Sequence, residues 1–233
     1  MKIKPLISTI TLVAASASTM AQDLDITVTN LSQGLYFTPI LTAAHTSDSS
    51  IFSVASAASS ELQAMAEGGD ISGLVSMLSN ANANASENPA SGLLAPAMST
   101  SYMISNDSDN TKLSLTAMIL PSNDGFVGLD SWTIPTEAGT YTIMLNAYDA
   151  GTEANDELLI DGGGAPGTAG IPAAPGGSGG SGGSGVTDSE TNMMVHIHRG
   201  TLGDDDAMAG KSDLDNRVHR WLNPVAKLTV VVK

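Results

Sequence analysis

The chain has 233 residues, with 9 Lys and Arg against 24 Asp and Glu, for a formal charge of −15. So acidic a body repels phosphate backbones and anionic lipid, which argues against nucleic-acid and membrane-surface partners and leaves divalent cations among the ligands it attracts. Cysteine is absent, so disulfides, thiolate zinc sites and cysteine nucleophiles are excluded together, and a chain long enough for one sandwich domain must be held by its core or by bound metal.

Met1-Lys2-Ile3-Lys4 is followed by an apolar stretch from Pro5 to Ala15 and a small, polar stretch to Ala21. This order predicts a signal peptide over residues 1–21, with Thr19-Met20-Ala21 as its cleavage site; a retained anchor is the alternative. The stretch is short for a membrane span, and no later segment is continuously apolar. A secreted chain over 22–233, extracellular or periplasmic and without a membrane span, is therefore expected. Loss of Lys2 and Lys4 takes its charge from −15 to −17.

Ile26 and Val28 mark an opening strand over Asp25 to Asn30, and Leu35 to Ile40 a second run that Pro39 confines to an edge or a strand end. Val54, Ala58, Leu62 and Met65 fall at helical spacing. Gly68-Gly69 breaks that run, and Asp70 is placed to cap a second short helix bearing Leu74, Val75 and Leu78. Ser79 to Ser91 reads as a loop. Alternation returns from Met98 to Ser105 and at Leu113, Leu115, Ala117 and Ile119. After Trp132 and a turn at Glu137-Ala138-Gly139, the strand of Tyr141, Ile143, Leu145 and Ala147 delivers Asp149. Gly162 to Gly185 is rich in Gly, Ser and Pro, a composition with little apolar surface to bury, and is read as a flexible insertion within one domain. Met193 to Ile197 and Ala226 to Val232 rejoin the sheet as closing strands.

Two short loops carry the chemistry: residues 121–128, Pro-Ser-Asn-Asp-Gly-Phe-Val-Gly, and residues 149–153, Asp-Ala-Gly-Thr-Glu. Each follows a strand-like run, so both lift carboxylates toward one end of a sheet, the way an oxygen cage for Ca²⁺ is assembled from separated parts of a β-sandwich. Taken singly, Asp124-Gly125 and Asp149-Ala150-Gly151 are also ordinary turn sequences.

Together, and with the closing segment from His219 to Pro224, these loops resemble the spondin domain. Its Pro-Ser-x-Asp segment followed by Val-Gly stands here as Pro121, Ser122, Asp124, Val127 and Gly128. Its Asp-Ala-Gly-Thr-Asp segment stands as Asp149, Ala150, Gly151 and Thr152, with Glu153 in the last place. The similarity runs from the opening strand to the C-terminus, interrupted by the glycine insertion. The resemblance implies an all-β, C2-like antiparallel β-sandwich with short helices in a long connection. It further implies Ca²⁺ held by Asp124, Asp149 and Glu153, with Asn123, Asn155 and Asp156 as supplementary oxygens. Glu153 is one methylene longer than the family's aspartate, and Gly125 stands where animal members commonly have an aromatic residue. A structural or adhesive module contacting an extracellular protein or glycan is what the family leads one to expect, rather than an enzyme.

The competing constellation is His196-Ile197-His198, two imidazoles on one face of a strand with His45 or His219 as a third ligand and Asp204, Asp205 or Asp206 nearby, a Zn²⁺ or Cu²⁺ enzyme in outline. No His-Glu-x-x-His signature accompanies it. The alternation predicts instead that Met193, Val195 and Ile197 face inward, with the histidines at the surface. Residues 203–215 read as solvated loop charge or a weaker cation site, and no serine sits in a nucleophile elbow. Asn30, Asn84 and Asn106 open glycosylation sequons. Trp132 and Trp221 are expected in the core. Phe126 and Tyr148 are read either as a contact platform or as buried under the acidic loops.

Overall fold

The computed structural model describes residues 21–165 and 168–233; the segment read as a signal peptide lies, up to position 20, outside the described residues. The protein is all-β, with two short helices. β1 (Gln22–Asn30), β2 (Tyr36–Phe37) and β3 (Leu41–His45) are followed by α1 (Ser60–Gly68) and α2 (Ser72–Asn80). Then come β4 (Asn84–Glu87), β5 (Ser99–Asn106), β6 (Lys112–Leu120), β7 (Gly125–Thr133), β8 (Gly139–Asp149), β9 (His196–Ile197) and β10 (Ala226–Val232). The strands form one antiparallel sheet in the order β4-β3-β6-β7-β8-β10-β1-β5, with β2 against β6 and β9 against β8.

This single sheet curls until its two edges approach. Asn84 of β4 donates to Asp107 (3.0 Å) and accepts from Asn110 (2.7 Å), just beyond β5, and the hydroxyls of Thr42 and Tyr102 meet at 2.6 Å. Edge strands tied to each other in this way offer less unpaired backbone to a neighbouring chain. The last strand, β10, inserts between β8 and β1, with Leu24 opposite Val232, so the two ends of the domain are paired in register.

β1 alternates as its sequence requires: Leu24, Ile26, Val28 and Asn30 are buried and the residues between them partly exposed. Inside the curl they join Phe37, Leu113, Leu115, Ala117, Ile119, Val127, Ala147, Leu228 and Val230 in one core. A second core lies between the helices and the outer face of β3, β6 and β7, where Leu62, Met65, Leu74 and Leu78 meet Met118, Leu120 and Phe126. β6 is therefore buried on both faces.

Three local readings differ from the structure. α1 starts at Ser60, because the Ser59 hydroxyl caps Leu62 N (3.1 Å); Val54, expected within the helix, is 49% exposed. Ser59→Ala is expected to cost about 1 kcal/mol, read as a fall of roughly 2–4 °C in melting temperature. Asp70 accepts from Ser72 N at 2.9 Å, one residue ahead of the α2 N-cap, Ile71. The expected loop over 79–91 contains β4, a half-exposed strand whose pairing with β3, not its own pattern, makes it a strand.

The described part of the glycine-rich insertion, expected to be flexible, is anchored. Ile171 is fully buried and exchanges backbone hydrogen bonds with Leu158 and Ile160. Asp213 accepts from Leu159 N (2.8 Å) and Gly183 N (2.9 Å), and Gly180 N donates to Asp213 O. A segment with few side chains to bury besides Ile171 satisfies its amides on carboxylates and carbonyls.

Candidate functional site

β7 and β8 run antiparallel with Gly125 opposite Asp149, so the two acidic loops leave the sheet side by side. Ala150 N donates to Asp124 O across them (3.2 Å). Two glycines leave room for the close packing within and around these loops. A Cβ on Gly125 would stand 2.6 Å from Ser122 Oγ, and one on Gly151, whose φ is +71°, would stand 2.6 Å from Asn192 O.

Asp124 is fully buried and Asp149 is 2% exposed. One Asp124 oxygen, Oδ2, accepts from Thr152 N (2.8 Å), Thr152 Oγ1 (3.2 Å) and Glu153 N (3.2 Å); the other, Oδ1, is buried without a partner. Burial, and then the neighbouring charge of Asp149, raises the Asp124 pKa well above the ordinary carboxylate range, against the pull of those donors. Asp149 accepts from Gly151 N (2.8 Å) and Asn155 Nδ2 (2.7 Å), with His196 Nε2 3.7 Å away.

Glu153 is not gathered with this pair. Its longer side chain turns to Gly170 N (2.9 Å) and Asn123 Nδ2 (3.4 Å), leaving Oε1 buried and unpartnered. Its pKa is pushed up to about 7, chiefly by burial, and the charges pressing on it are those of Glu67 and Asp156. Asn123 donates to Asp156 (2.8 Å), and of the three supplementary residues only Asn155 bonds the aspartate pair, through its Nδ2 rather than its oxygen. Beneath the loops, Phe126 packs edge-on to Phe52 (5.0 Å) and stacks on Tyr148 (5.6 Å). It is fully buried, which settles the choice between contact platform and core for this residue.

The histidines are arranged otherwise than expected. Only His196 and Ile197 form a strand; Val195 is buried as expected, but Met193 and Ile197 are 71% and 45% exposed, whereas His198 is buried on Trp221 (4.9 Å). The register places the two histidines: His196 pairs with Asp149 and His198 N donates to Ala147 O, which puts both rings on the Asp149 face of the sheet. His198 Nδ1 accepts from Gly200 N (3.0 Å), so the neutral ring carries its proton on Nε2, buried and without a partner. Burial lowers the His198 pKa, with Asp149 opposing. The third ligands are engaged elsewhere: His45 with Thr46 O and Ser114 Oγ (both 2.8 Å), and His219 Nδ1 with Asp215 N (3.0 Å).

Among the described residues no cluster of three or more His, Asp or Glu side chains is close enough to hold a metal by side chains alone. A Ca²⁺ ion between the loops would therefore draw most of its six to eight oxygens from carbonyls and water. The unpartnered Asp124 Oδ1 beside a second carboxylate fits such an ion; the proton on His198 Nε2 does not fit zinc or copper. Asp204 accepts from Asp206, Lys211 and Ser212 N–H groups, so its carboxylate closes its own loop. The amides of Asn30, Asn84 and Asn106 are held by Leu35 O, Asp107 and Asn110 O.

Sequence reasoning missed a cavity of about 390 Å³ beside Asp149, built by residues far apart in the chain. It also missed Asn223, whose Oδ1 accepts from Ala147 N (2.7 Å) and ties the closing segment to β8. No helix among the described residues is long and apolar enough to cross a membrane. No curated protein matches the chain. The family model described as Spondin_N matches residues 29–157, more than half of the chain, from the end of β1 through both acidic loops. The chain belongs to the spondin N-terminal domain family.

Proposed function

We propose that the protein is a secreted Ca²⁺-binding module with a structural or adhesive role at the cell surface or in extracellular matrix, where its loop end contacts a protein or glycan. The observation that carries the reading is the buried Asp124 carboxylate, one oxygen unpartnered, on a loop side by side with that of Asp149, whose charge acts on it. Two carboxylates in a dry loop repel each other unless a cation or a proton intervenes. Asp124 and Asp149 are the direct ligands, and Asn155 orients Asp149. Glu153 joins them only by leaving Gly170. When bound, the ion neutralises the pair and stiffens the loop end; the chain's own part is to bring the two loops together across β7 and β8. Family membership supports an extracellular-type domain and a binding role rather than catalysis.

Two carboxylates supply little charge, so affinity is expected in the range of about 10⁻⁴–10⁻³ M that serves extracellular modules. Calorimetric titration of chelator-treated protein with Ca²⁺, then with Zn²⁺, tests this. A single weak Ca²⁺ site lost in Asp124→Asn, and little altered in Glu153→Gln, is the expected result. Heat from Zn²⁺ alone, lost on changing His196 and His198, would favour the metalloenzyme instead.

A further inference from the structure

The loop after β8 and the segment on either side of β9 line the cavity of about 390 Å³, within the roughly 300–1,000 Å³ typical of small-ligand sites. Its hydrogen-bonding capacity is incompletely used. Asn155 gives Nδ2 to Asp149 and keeps Oδ1 free, Glu190 holds Asn192 N with Oε1 and keeps Oε2 free, and Arg199 has no ion-pair partner among the described residues. Glu157, by contrast, is saturated by Leu202 N, Gly203 N and the Ser212 hydroxyl. Free donors and acceptors are thus both present on the wall, which includes the exposed Thr191.

Charge narrows the occupant. Asp149, Glu157 and Glu190 outnumber Arg199, so an anion meets a negative wall; a cation finds a free oxygen on Glu190 but also meets Arg199 on the same lining. A neutral molecule whose groups each donate and accept satisfies both kinds of wall at once. We infer that this cavity takes one neutral saccharide unit, its hydroxyls donating to Glu190 and Asn155 and accepting from Arg199. The inference rests on the reading of the loop end as a contact surface, but not on the cation.

Saturation-transfer NMR on the purified protein tests it with glucose, galactose and mannose, using galacturonate and spermidine as charged comparisons. Transfer to at least one neutral hexose is expected, lost in Thr191→Phe, weakened in Glu190→Ala and kept in Asp124→Asn, with unchanged melting temperatures showing that the two cavity variants fold. Transfer only to a charged probe, transfer to no hexose, or a hexose signal that survives Thr191→Phe overturns the inference. So does a signal abolished by Asp124→Asn, which would place the sugar on the cation. If calcium titration fails while the hexose signal behaves as expected, the metal reading falls and the cavity stands.

Discussion

Replacing Asp124 by asparagine is expected to abolish the rise of the melting temperature with Ca²⁺ and to make the variant the more stable form in chelator. For the wild type, Ca²⁺ at about a hundred times its dissociation constant adds about 2.7 kcal/mol by mass action, or roughly 5–10 °C for a domain of this size. Asp124→Asn should lose that gain. In chelator the order should reverse, because asparagine keeps one oxygen for the Thr152 and Glu153 donors and places an amide where the carboxylate has its unpartnered Oδ1. It also removes the repulsion from Asp149. Asp149→Asn should lose the gain as well, while Glu153→Gln, whose side chain faces Gly170, should keep most of it. A variant that still gains the full increment with Ca²⁺ would show that the ion, if it binds, sits elsewhere.

The second expected result is a metal-free stability profile that falls on the alkaline side. Asp124 and Glu153 have raised pKa values in the folded protein, so folding favours their protonated forms. Their contribution is fully present below the ordinary carboxylate range and is lost as pH rises through the folded values, about 7 for Glu153. His198 acts in the opposite sense. Its pKa is lowered, so its contribution is present above the ordinary value of 6.5 and is lost as pH falls toward the folded value. Melting in chelator should therefore show a maximum at mildly acidic pH and a loss of about 1–3 kcal/mol on going to pH 8. Glu153→Gln and Asp124→Asn should each flatten the alkaline limb. Added Ca²⁺ should flatten it in the wild type through Asp124, since the ion selects the ionised carboxylate. An alkaline limb unchanged in both variants would mean that neither carboxylate is held protonated in the folded state.

Much of the strand content was legible in the chain because the residues concerned face one way only. Leu24, Ile26 and Val28 alternate with polar neighbours, and one face of that strand is indeed core. The two acidic loops were legible as well, since each is a short glycine-containing run and the two are spaced by one hairpin, β7 and β8. β4 was hidden because a half-exposed edge strand has no apolar rhythm of its own. The inward turn of His198 was hidden because the choice of face along 193–198 depends on pairing with β8, and a shift of one residue exchanges every side chain between faces. The anchoring of the glycine-rich segment depended on Asp213 and the backbone of Leu158 and Ile160 being carried to it by the fold.

The sequence by itself determined the acidic character and most of the strands, because composition and periodicity are local properties, while the all-β class and the meeting of Asp124 with Asp149 were legible through the family resemblance. Tertiary structure alone decided that Glu153 turns aside, that His198 is buried with its proton on Nε2, and that a polar cavity opens beside Asp149. Those outcomes hang on which distant amides and carboxylates meet, and contacts of that kind are selected by the burial energy of the whole domain rather than by any stretch of its chain.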